Sequence, residues 1–294
     1  MEIGAVFPQT DFGQDPLAIR DFAQAAEALG YHHVVAFDHV LGANPDRPEG
    51  WTGAYTFRDP FLEPFVLFTH MAAHTRSLVL ETGILILPQR QTALVAKQAA
   101  TLDVLSAGRL RLGVGLGWNR VEYTALGEDF HNRGRRIEEQ VAVLRELWTR
   151  PVVDFRGKWH TIEGAGLNPL PVQRPIPIWL GGYAEPALRR AARIGDGWMA
   201  SQRTPETSKP TLETLERFLR EEGRTRADFG VEVRIPYGDA NPAEWMATLE
   251  QWQALGATRV SLNTMGAGPK SPQEHIAALR TFAQENQAGL RPGR

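Results

Sequence analysis

Cysteine is absent from all 294 residues of the chain. This absence excludes disulfide bonds, thiolate nucleophiles and metal sites built from cysteine. Long apolar runs are missing too: no window holds eighteen consecutive apolar residues, so we expect no membrane-spanning helix and no membrane partner. The first residues, MEIGAVFPQTD, carry an acid at position 2 and lack the basic segment that opens a secretion signal. We therefore expect a cytoplasmic protein.

Neither sign of charge is in excess, since the formal net charge is −2 and no tract of lysine or arginine occurs. This balance gives no support for a nucleic-acid partner, whose phosphates bind basic surfaces. The eight histidines do not show the HExxH spacing of zinc enzymes. We therefore expect no metal site, and a small molecule as the substrate.

Short apolar strands alternate eight times with helical segments along the chain. This alternation predicts an α/β fold, a (β/α)₈ TIM barrel, and the length suits one such domain over residues 1–288. A disordered tail is expected at 289–294. The segment VVDFRGKWHTI, residues 152–162, predicts a small hairpin insertion. The predicted strands are 2–7, 34–37, 78–87, 110–114, 177–180, 198–201, 231–235 and 260–263.

A doubly wound open sheet is the competing architecture. Such sheets carry a GxGxxG run after the first strand. Here the glycine run Gly113-x-Gly115-x-Gly117 follows the fourth predicted strand and lacks that spacing. The barrel is therefore favoured, and the site is expected at the carboxyl ends of its strands.

Gly181 and Gly182, which have no side chains, join a predicted strand by a turn to a predicted helix with Pro186 at its start. Glycines at that turn let a ligand approach the first amides of the helix, which attract phosphate. The pair is equally consistent with a tight strand-to-helix turn and no ligand.

Asp38 and His39 follow the second predicted strand directly. An imidazole there can exchange a proton at neutral pH, and a neighbouring carboxylate can hold or tune it. The alternative is that Asp38 caps the next segment and His39 is a buried hydrogen-bonding group. Residues 41–58 form a long irregular loop typical of a functional lid. Candidates for the substrate wall, taken from this loop and from strand ends, are Trp51, Tyr55, Arg234, Asn263 and Thr264.

Four motifs occur together and in order from the first strand to the last helix: FDHV at 37–40, GVGLGWNRVEY at 113–123, RGRRIEEQ at 133–140, and PIWLGGYAEPALRRAARIGDGW at 177–198. With them the sequence resembles the luciferase-like superfamily of flavin and deazaflavin oxidoreductases. It looks most like the branch that uses coenzyme F420, a deazaflavin that accepts and donates hydride.

The resemblance implies an enzyme that moves a hydride between F420 and a small carbonyl, alcohol or unsaturated compound. The alternative is an FMN-dependent monooxygenase that uses oxygen and reduced flavin supplied by a partner reductase. A third possibility is a non-catalytic flavin-binding relative, which should have lost its polar residues at the end of the second strand. We also expect a homodimer.

The resemblance further implies roles for individual residues. It places Asp38 and His39 beside the redox carbon of the cofactor, with His39 exchanging a proton with the substrate oxygen. Leu116 departs from the sugar dehydrogenases of this superfamily, which carry a glutamate there. The remaining cofactor-binding residues are expected to be Gly83 and Ile84, joined by a cis peptide behind the ring; Gly115 and Asn119 after the fourth strand; Gly181 and Gly182 at the phosphate; and Ala200 and Ser201 beside them.

Overall fold

The computed structural model describes residues 1–200, 204–238 and 241–286, and within them parallel strands close into a TIM barrel. The predicted Ser201, the last residue of the sixth predicted strand, and the predicted tail at 289–294 lie outside the described residues. The strands are β1 Glu2–Val6, β2 His33–Ala36, β3 Val79–Thr82, β4 Leu85–Ile86, β5 Leu110–Gly115, β6 Val153–Arg156, β7 Thr161–Ala165, β8 Ile178–Gly181, β9 Gly197–Met199, β10 Gly230–Pro236 and β11 Arg259–Asn263.

The barrel runs β1, β2, β3, β5, β8, β9, β10, β11 and back to β1, and every pair is parallel. β3 pairs with β5, with Leu80 opposite Leu110, and this pairing closes the barrel. In an open sheet these two edges would stay unpaired. The short β4 runs beside β5 as an additional strand. The fold predicted from the eightfold alternation is confirmed.

Helices surround the barrel. Those that begin with proline at the first position carry a side-chain cap on the preceding residue, namely Asp15, Glu63, Thr204, Asn241 or Ser271, which satisfies one of the orphan amides of the first turn. The helices are α1 Pro16–Ala28, α2 Pro64–His74, α3 Thr92–Leu105, α4 Arg120–Ala125, α5 Arg133–Thr149, α6 Glu185–Ile194, α7 Pro205–Glu221, α8 Pro242–Ala254 and α9 Pro272–Glu285.

The third predicted strand, residues 78–87, is wrong as a continuous element. It is divided into β3 and β4 at Gly83-Ile84, whose peptide bond is cis, as the resemblance implied. The interruption lets β4 pair with β5 while β3 pairs with both β2 and β5. The predicted hairpin is confirmed: β6 and β7 form a separate antiparallel pair outside the barrel.

Inside the barrel, an apolar layer lies between the carboxyl ends of the strands and a buried polar cluster. Trp179 and Met199 belong to this layer, together with Val6 and Val35. The guanidinium groups of Arg111 and Arg259 pack on the Trp179 ring, 4.7 and 5.3 Å from its centroid.

The polar cluster below this layer contains His33, Glu81 and Glu232, which are all buried. Their ligand atoms lie within 4.8 Å of one another, the one grouping in the described part of the chain with the spacing of a metal site. Arg259 already supplies positive charge there, 3.1 Å from Glu81. Ser261 bridges His33 and Glu232 with hydrogen bonds of 2.9 and 2.6 Å, so the cluster is tied together by its own side chains.

Candidate active site

A cavity opens at the carboxyl ends of the barrel strands, where the active sites of this fold are built. Its volume is about 550 Å³, within the range of small-molecule and cofactor sites. The sequence-predicted residues that line it together are Asp38, His39, Tyr55, Gly83, Ile84, Gly115, Gly181, Gly182 and Arg234.

His39 is held by a buried carboxylate from a distant part of the chain. Glu122, in α4, places Oε2 3.2 Å from Nδ1 of His39. Its other oxygen accepts the backbone amides of Val40 and Leu41 at 2.7 and 3.1 Å. An ionised carboxylate only accepts hydrogen bonds, so Nδ1 carries the hydrogen and Nε2 remains the ring nitrogen available to a ligand of the cavity.

Glu122 stays ionised although it is fully buried. Burial raises the pKa of a carboxyl group, but the hydrogen bond and charge of His39 and the amides of Leu41 and Val40 outweigh it, so the pKa of Glu122 is lowered below its usual value. The negative charge therefore persists at neutral pH and fixes both the tautomer and the orientation of the imidazole.

Asp38 makes other contacts. Its Oδ1 accepts Nη2 of Arg90 at 2.7 Å, and its Oδ2 accepts the amide of Ile86 at 2.9 Å. Arg90 also pairs with Glu63 at 2.8 Å. The expectation that Asp38 holds the imidazole is therefore wrong, and the carboxylate with that contact is Glu122. Asp38 instead fixes the backbone that follows the cis peptide.

The Ile84 side chain fills the space between two glycines of the cavity wall. A Cβ on Gly115 would meet Ile84 Cδ1 at 2.8 Å, and a Cβ on Gly181 would meet Ile84 Cγ2 at 2.9 Å. Ile84 and Met199 both line the cavity and pack in the apolar layer below it. The glycines thus allow a close-packed apolar floor, which suits a flat ring.

The Gly181-Gly182 turn leads into α6 as predicted. Gly182 has φ +115°, a conformation that L side chains rarely adopt, and its carbonyl accepts the indole N–H of Trp198 at 2.7 Å. The N-cap residue of α6 is Ala184, which provides no side-chain cap, and it lines the cavity. Pro186 has no N–H, and the amide of Ala187 donates to the carbonyl of Ala184 at 2.8 Å, so the amide of Glu185 is the one in the first three residues of α6 that is left for an anion.

Several predicted residues are not in the cavity wall. The side chain of Asn119 caps α4 by accepting the amide of Val121 at 3.0 Å, and it donates to the carbonyl of Leu41 at 3.2 Å. Its side chain is thus hydrogen-bonded inside the protein, and Asn119 does not line this cavity. Ala200 is buried, and its amide donates to the carbonyl of Glu232 at 2.8 Å.

The predicted substrate wall is only partly assembled. Trp51 packs on Trp118, with ring centroids 5.7 Å apart, and Trp118 is the one that lines the cavity. Asn263 accepts the amide of Met265 at 3.1 Å, and neither Asn263 nor Thr264 reaches the cavity wall. Tyr55 and Arg234 do reach it.

Sequence reasoning missed Glu122 and Arg133. Glu122 lies three residues after Asn119, a spacing typical of a capping box, which would have turned its carboxylate back onto its own helix. Arg133, the first residue of α5, lines the cavity, and its buried Nε has no hydrogen-bond partner in the parts of the chain that the structure describes. Its position within the RGRRIEEQ motif was the available signal.

The protein family described as luciferase-like monooxygenase matches residues 2–291 of the chain. An uncharacterised protein of Mycobacterium tuberculosis is 35% identical over 272 residues, covering 89% of this chain and 92% of that protein. The FMNH₂-dependent dimethylsulfone monooxygenase of Pseudomonas fluorescens is 31% identical, covering 72% of this chain and 55% of that enzyme. The F420-dependent glucose-6-phosphate dehydrogenase of Microbacterium testaceum is 28% identical, covering 76% and 65%.

Among solved structures, an F420-dependent secondary alcohol dehydrogenase in complex with an F420–acetone adduct has a similar fold. The TM-score is 0.81 at 20% identity, and the match covers 99% of both chains. At this identity the likeness concerns the fold. Within the described residues, no helix is long and apolar enough to cross a membrane.

Proposed function

Because the chain belongs to the luciferase-like monooxygenase family, we propose that it is an oxidoreductase that transfers a hydride between coenzyme F420 and a small organic substrate. The observation that carries the proposal is the His39–Glu122 pair at the cavity wall. A single oriented imidazole is what a carbonyl–alcohol conversion needs besides a hydride carrier, because one proton moves with each hydride.

The lining of the cavity supports a bound deazaflavin in two respects. When bound, F420 accepts or donates a hydride. The glycines at 115 and 181 let the Ile84 side chain pack into the cavity floor, since a Cβ at either position would collide with that side chain, and a flat ring would lie on this apolar floor. The amide of Glu185 at the start of α6 and the guanidinium of Arg133 on the cavity wall are the donors that would hold a phosphate group.

The chain's own residues handle the proton. Nε2 of His39 accepts the proton of a substrate hydroxyl when the substrate is oxidised and returns it to the oxygen when a carbonyl is reduced. Glu122 keeps the hydrogen on Nδ1, so that Nε2 is the nitrogen that exchanges it. The rings of Tyr55 and Trp118 pack beside His39 on the cavity wall, with centroids 5.1 and 5.6 Å from that of the imidazole. Leu116 stands where sugar dehydrogenases of the superfamily have a glutamate, so we propose that His39 carries the proton transfer without a second carboxylate.

An FMN-dependent monooxygenase is the second candidate. The dimethylsulfone monooxygenase of P. fluorescens supports it, because that enzyme has a higher identity to the chain than the F420-dependent dehydrogenase. In this case a partner reductase would have to supply reduced flavin, and turnover would consume oxygen.

Titration of the purified protein with F420 and with FMN tests the proposal. We expect quenching of F420 fluorescence with a dissociation constant well below that for FMN, and substrate turnover that is unchanged when oxygen is removed. Tight binding of FMN alone, with turnover that requires oxygen, would establish the second candidate instead. A protein that binds neither cofactor would contradict both.

A further inference from the structure

A second, smaller chamber adjoins the main cavity at His39. Its volume is about 250 Å³, and His39 and Tyr55 line both spaces. Its other walls come from the loop that follows β2 and from Asn119. A space of this size is smaller than a typical cofactor site, so it suits a group of a few non-hydrogen atoms.

Aromatic rings surround the chamber. The rings of Tyr55 and Phe61 lie 4.8 Å apart, and they lie 5.1 and 4.8 Å from the His39 ring. Phe57 stands at the rim, 58% exposed, with the guanidinium of Arg58 5.3 Å from its centroid. Aromatic faces carry negative charge density and attract cations, and those of Tyr55 and Phe61 are partly shielded from water.

A carboxylate without an ionic partner also lines the chamber. Asp59 Oδ2 accepts the amide of Thr56 at 2.7 Å and its hydroxyl at 2.9 Å, both neutral donors. In residues 1–200, 204–238 and 241–286, no arginine, lysine or histidine forms an ion pair with Asp59, whereas Glu49, earlier in the same loop, is paired with Arg47 at 3.0 Å. The carboxylate of Asp59 is therefore engaged by neutral donors and by no ion pair within the described chain.

The other polar groups of the chamber are already engaged. Thr56 donates its hydroxyl to Asp59, and Asn119 donates its amide to Leu41 and accepts from Val121. What the chamber offers a ligand is a carboxylate and aromatic faces. This is the combination that recognises an organic cation.

We propose that the side chamber binds an organic ammonium group, primary or quaternary, that forms the non-reacting end of the substrate. The assignment of this group to the substrate rests on the proposed function, because His39 then lies between the bound cation and the reacting carbon. The substrate is accordingly a small amino alcohol or amino carbonyl compound, with its oxygen at Nε2 of His39 and its cation between Tyr55, Phe61 and Asp59.

Choline and its uncharged isostere 3,3-dimethylbutan-1-ol test the chamber directly. Both are titrated calorimetrically into the cofactor-free protein at one pH and low salt. We expect choline to bind about tenfold or more tightly than the alcohol, a difference typical of a shielded cation–π contact supported by a carboxylate. Equal affinities, or no measurable binding of choline, would overturn the proposal.

Two variants test whether the preference for choline depends on the charge of Asp59. Asp59→Asn keeps an oxygen that accepts from Thr56, so the turn is retained while the charge is removed. It should abolish the preference for choline and leave the affinity for the alcohol unchanged. Asp46→Asn removes an exposed charge from the same loop and should keep the full preference. A preference retained in Asp59→Asn, or lost equally in Asp46→Asn, contradicts the assignment.

The test of the cation site and the test of the proposed function can fail independently of each other. Cofactor titration of the parent and of Asp59→Asn is a separate measurement, and we expect both proteins to bind F420 equally. Failure to bind F420 together with an intact preference for choline would refute the proposed function and leave the cation site standing. Normal F420 binding without that preference would refute the cation site alone.

Discussion

Glu122 Oε2 lies 3.2 Å from Nδ1 of His39, across 83 positions of sequence. The side chain of Glu122 is fully shielded from solvent and that of His39 is 10% exposed. The pair joins the end of β2 to the helix that follows β5, and the same carboxylate fixes the amides of Val40 and Leu41. The orientation of the imidazole and the start of the loop that follows β2 therefore depend on one buried charge.

Replacement of His39 tests its role as proton donor and acceptor. His39→Ala should lower turnover by roughly 10²- to 10⁴-fold, the usual contribution of a general acid or base, with unchanged cofactor affinity. Single-turnover hydride transfer and cofactor titration measure the two effects. Circular dichroism must first show that the variant is folded. A folded, cofactor-loaded variant with parental turnover would assign His39 a purely structural role.

Glu122→Gln should act through His39 rather than on the substrate. The amide can still occupy the space, but it lacks the charge and can present a donor to Nδ1, so the imidazole loses its fixed tautomer. We expect kcat to fall by about 10- to 100-fold, the range found for partners that orient a histidine ligand or base, with little change in cofactor affinity. Glu163→Gln, on the exposed hairpin, is the matched control and should have parental kcat. An equal loss in both variants, or a loss of cofactor affinity alone, would argue against a positioning role.

Gly182→Asp should weaken cofactor binding strongly. The residue has φ +115°, an added Cβ would meet Cβ of Ala187 at 2.9 Å, and the carboxylate would repel a phosphate at the start of α6. Gly223→Asp is the control, because Gly223 also has positive φ, +68°, but has nothing within 4 Å of an added Cβ. Fluorescence titration should separate the two. If Gly182→Asp bound the cofactor as tightly as the parent, the Gly181-Gly182 turn would not be part of the phosphate site.

The buried Glu81 should make stability depend on pH. Burial, followed by the charge of Glu232, raises the pKa of Glu81 well above 4.5. A group whose pKa is raised on folding contributes stability that is fully present below its unfolded value, near 4.5, and that is lost as pH rises through its folded value.

Glu81→Gln mimics the protonated carboxyl and does not titrate. Its stability relative to the parent should therefore rise with pH above 4.5, by up to about 1.4 kcal/mol per pH unit for one proton. Denaturant unfolding of both proteins between pH 4.5 and 8 measures the difference. A difference that does not change over this range would show that Glu81 is ionised in the folded protein.

The sequence by itself determined the barrel and the place of its site. Short apolar strands that alternate with amphipathic or capped helices have one compact arrangement that buries both faces of a parallel sheet. The Gly181-Gly182 turn was recognisable from its sequence, and the φ of +115° at Gly182 is a local reason for glycine there. His39 was recognisable because the carboxyl end of a barrel strand is its mouth. These are properties of short segments and of strand order.

The tertiary structure decided which charges meet. Asp38 precedes His39 in sequence, but successive residues at a strand end point in different directions, so Asp38 pairs with Arg90 and His39 with Glu122. Asn119 was expected to reach the cofactor. In the structure its side-chain oxygen accepts the amide of Val121, and its side-chain nitrogen donates to the carbonyl of Leu41. The side chamber exists only because the loop after β2 folds back over His39. Such partners are set by distances between segments far apart in the chain, which no local pattern encodes.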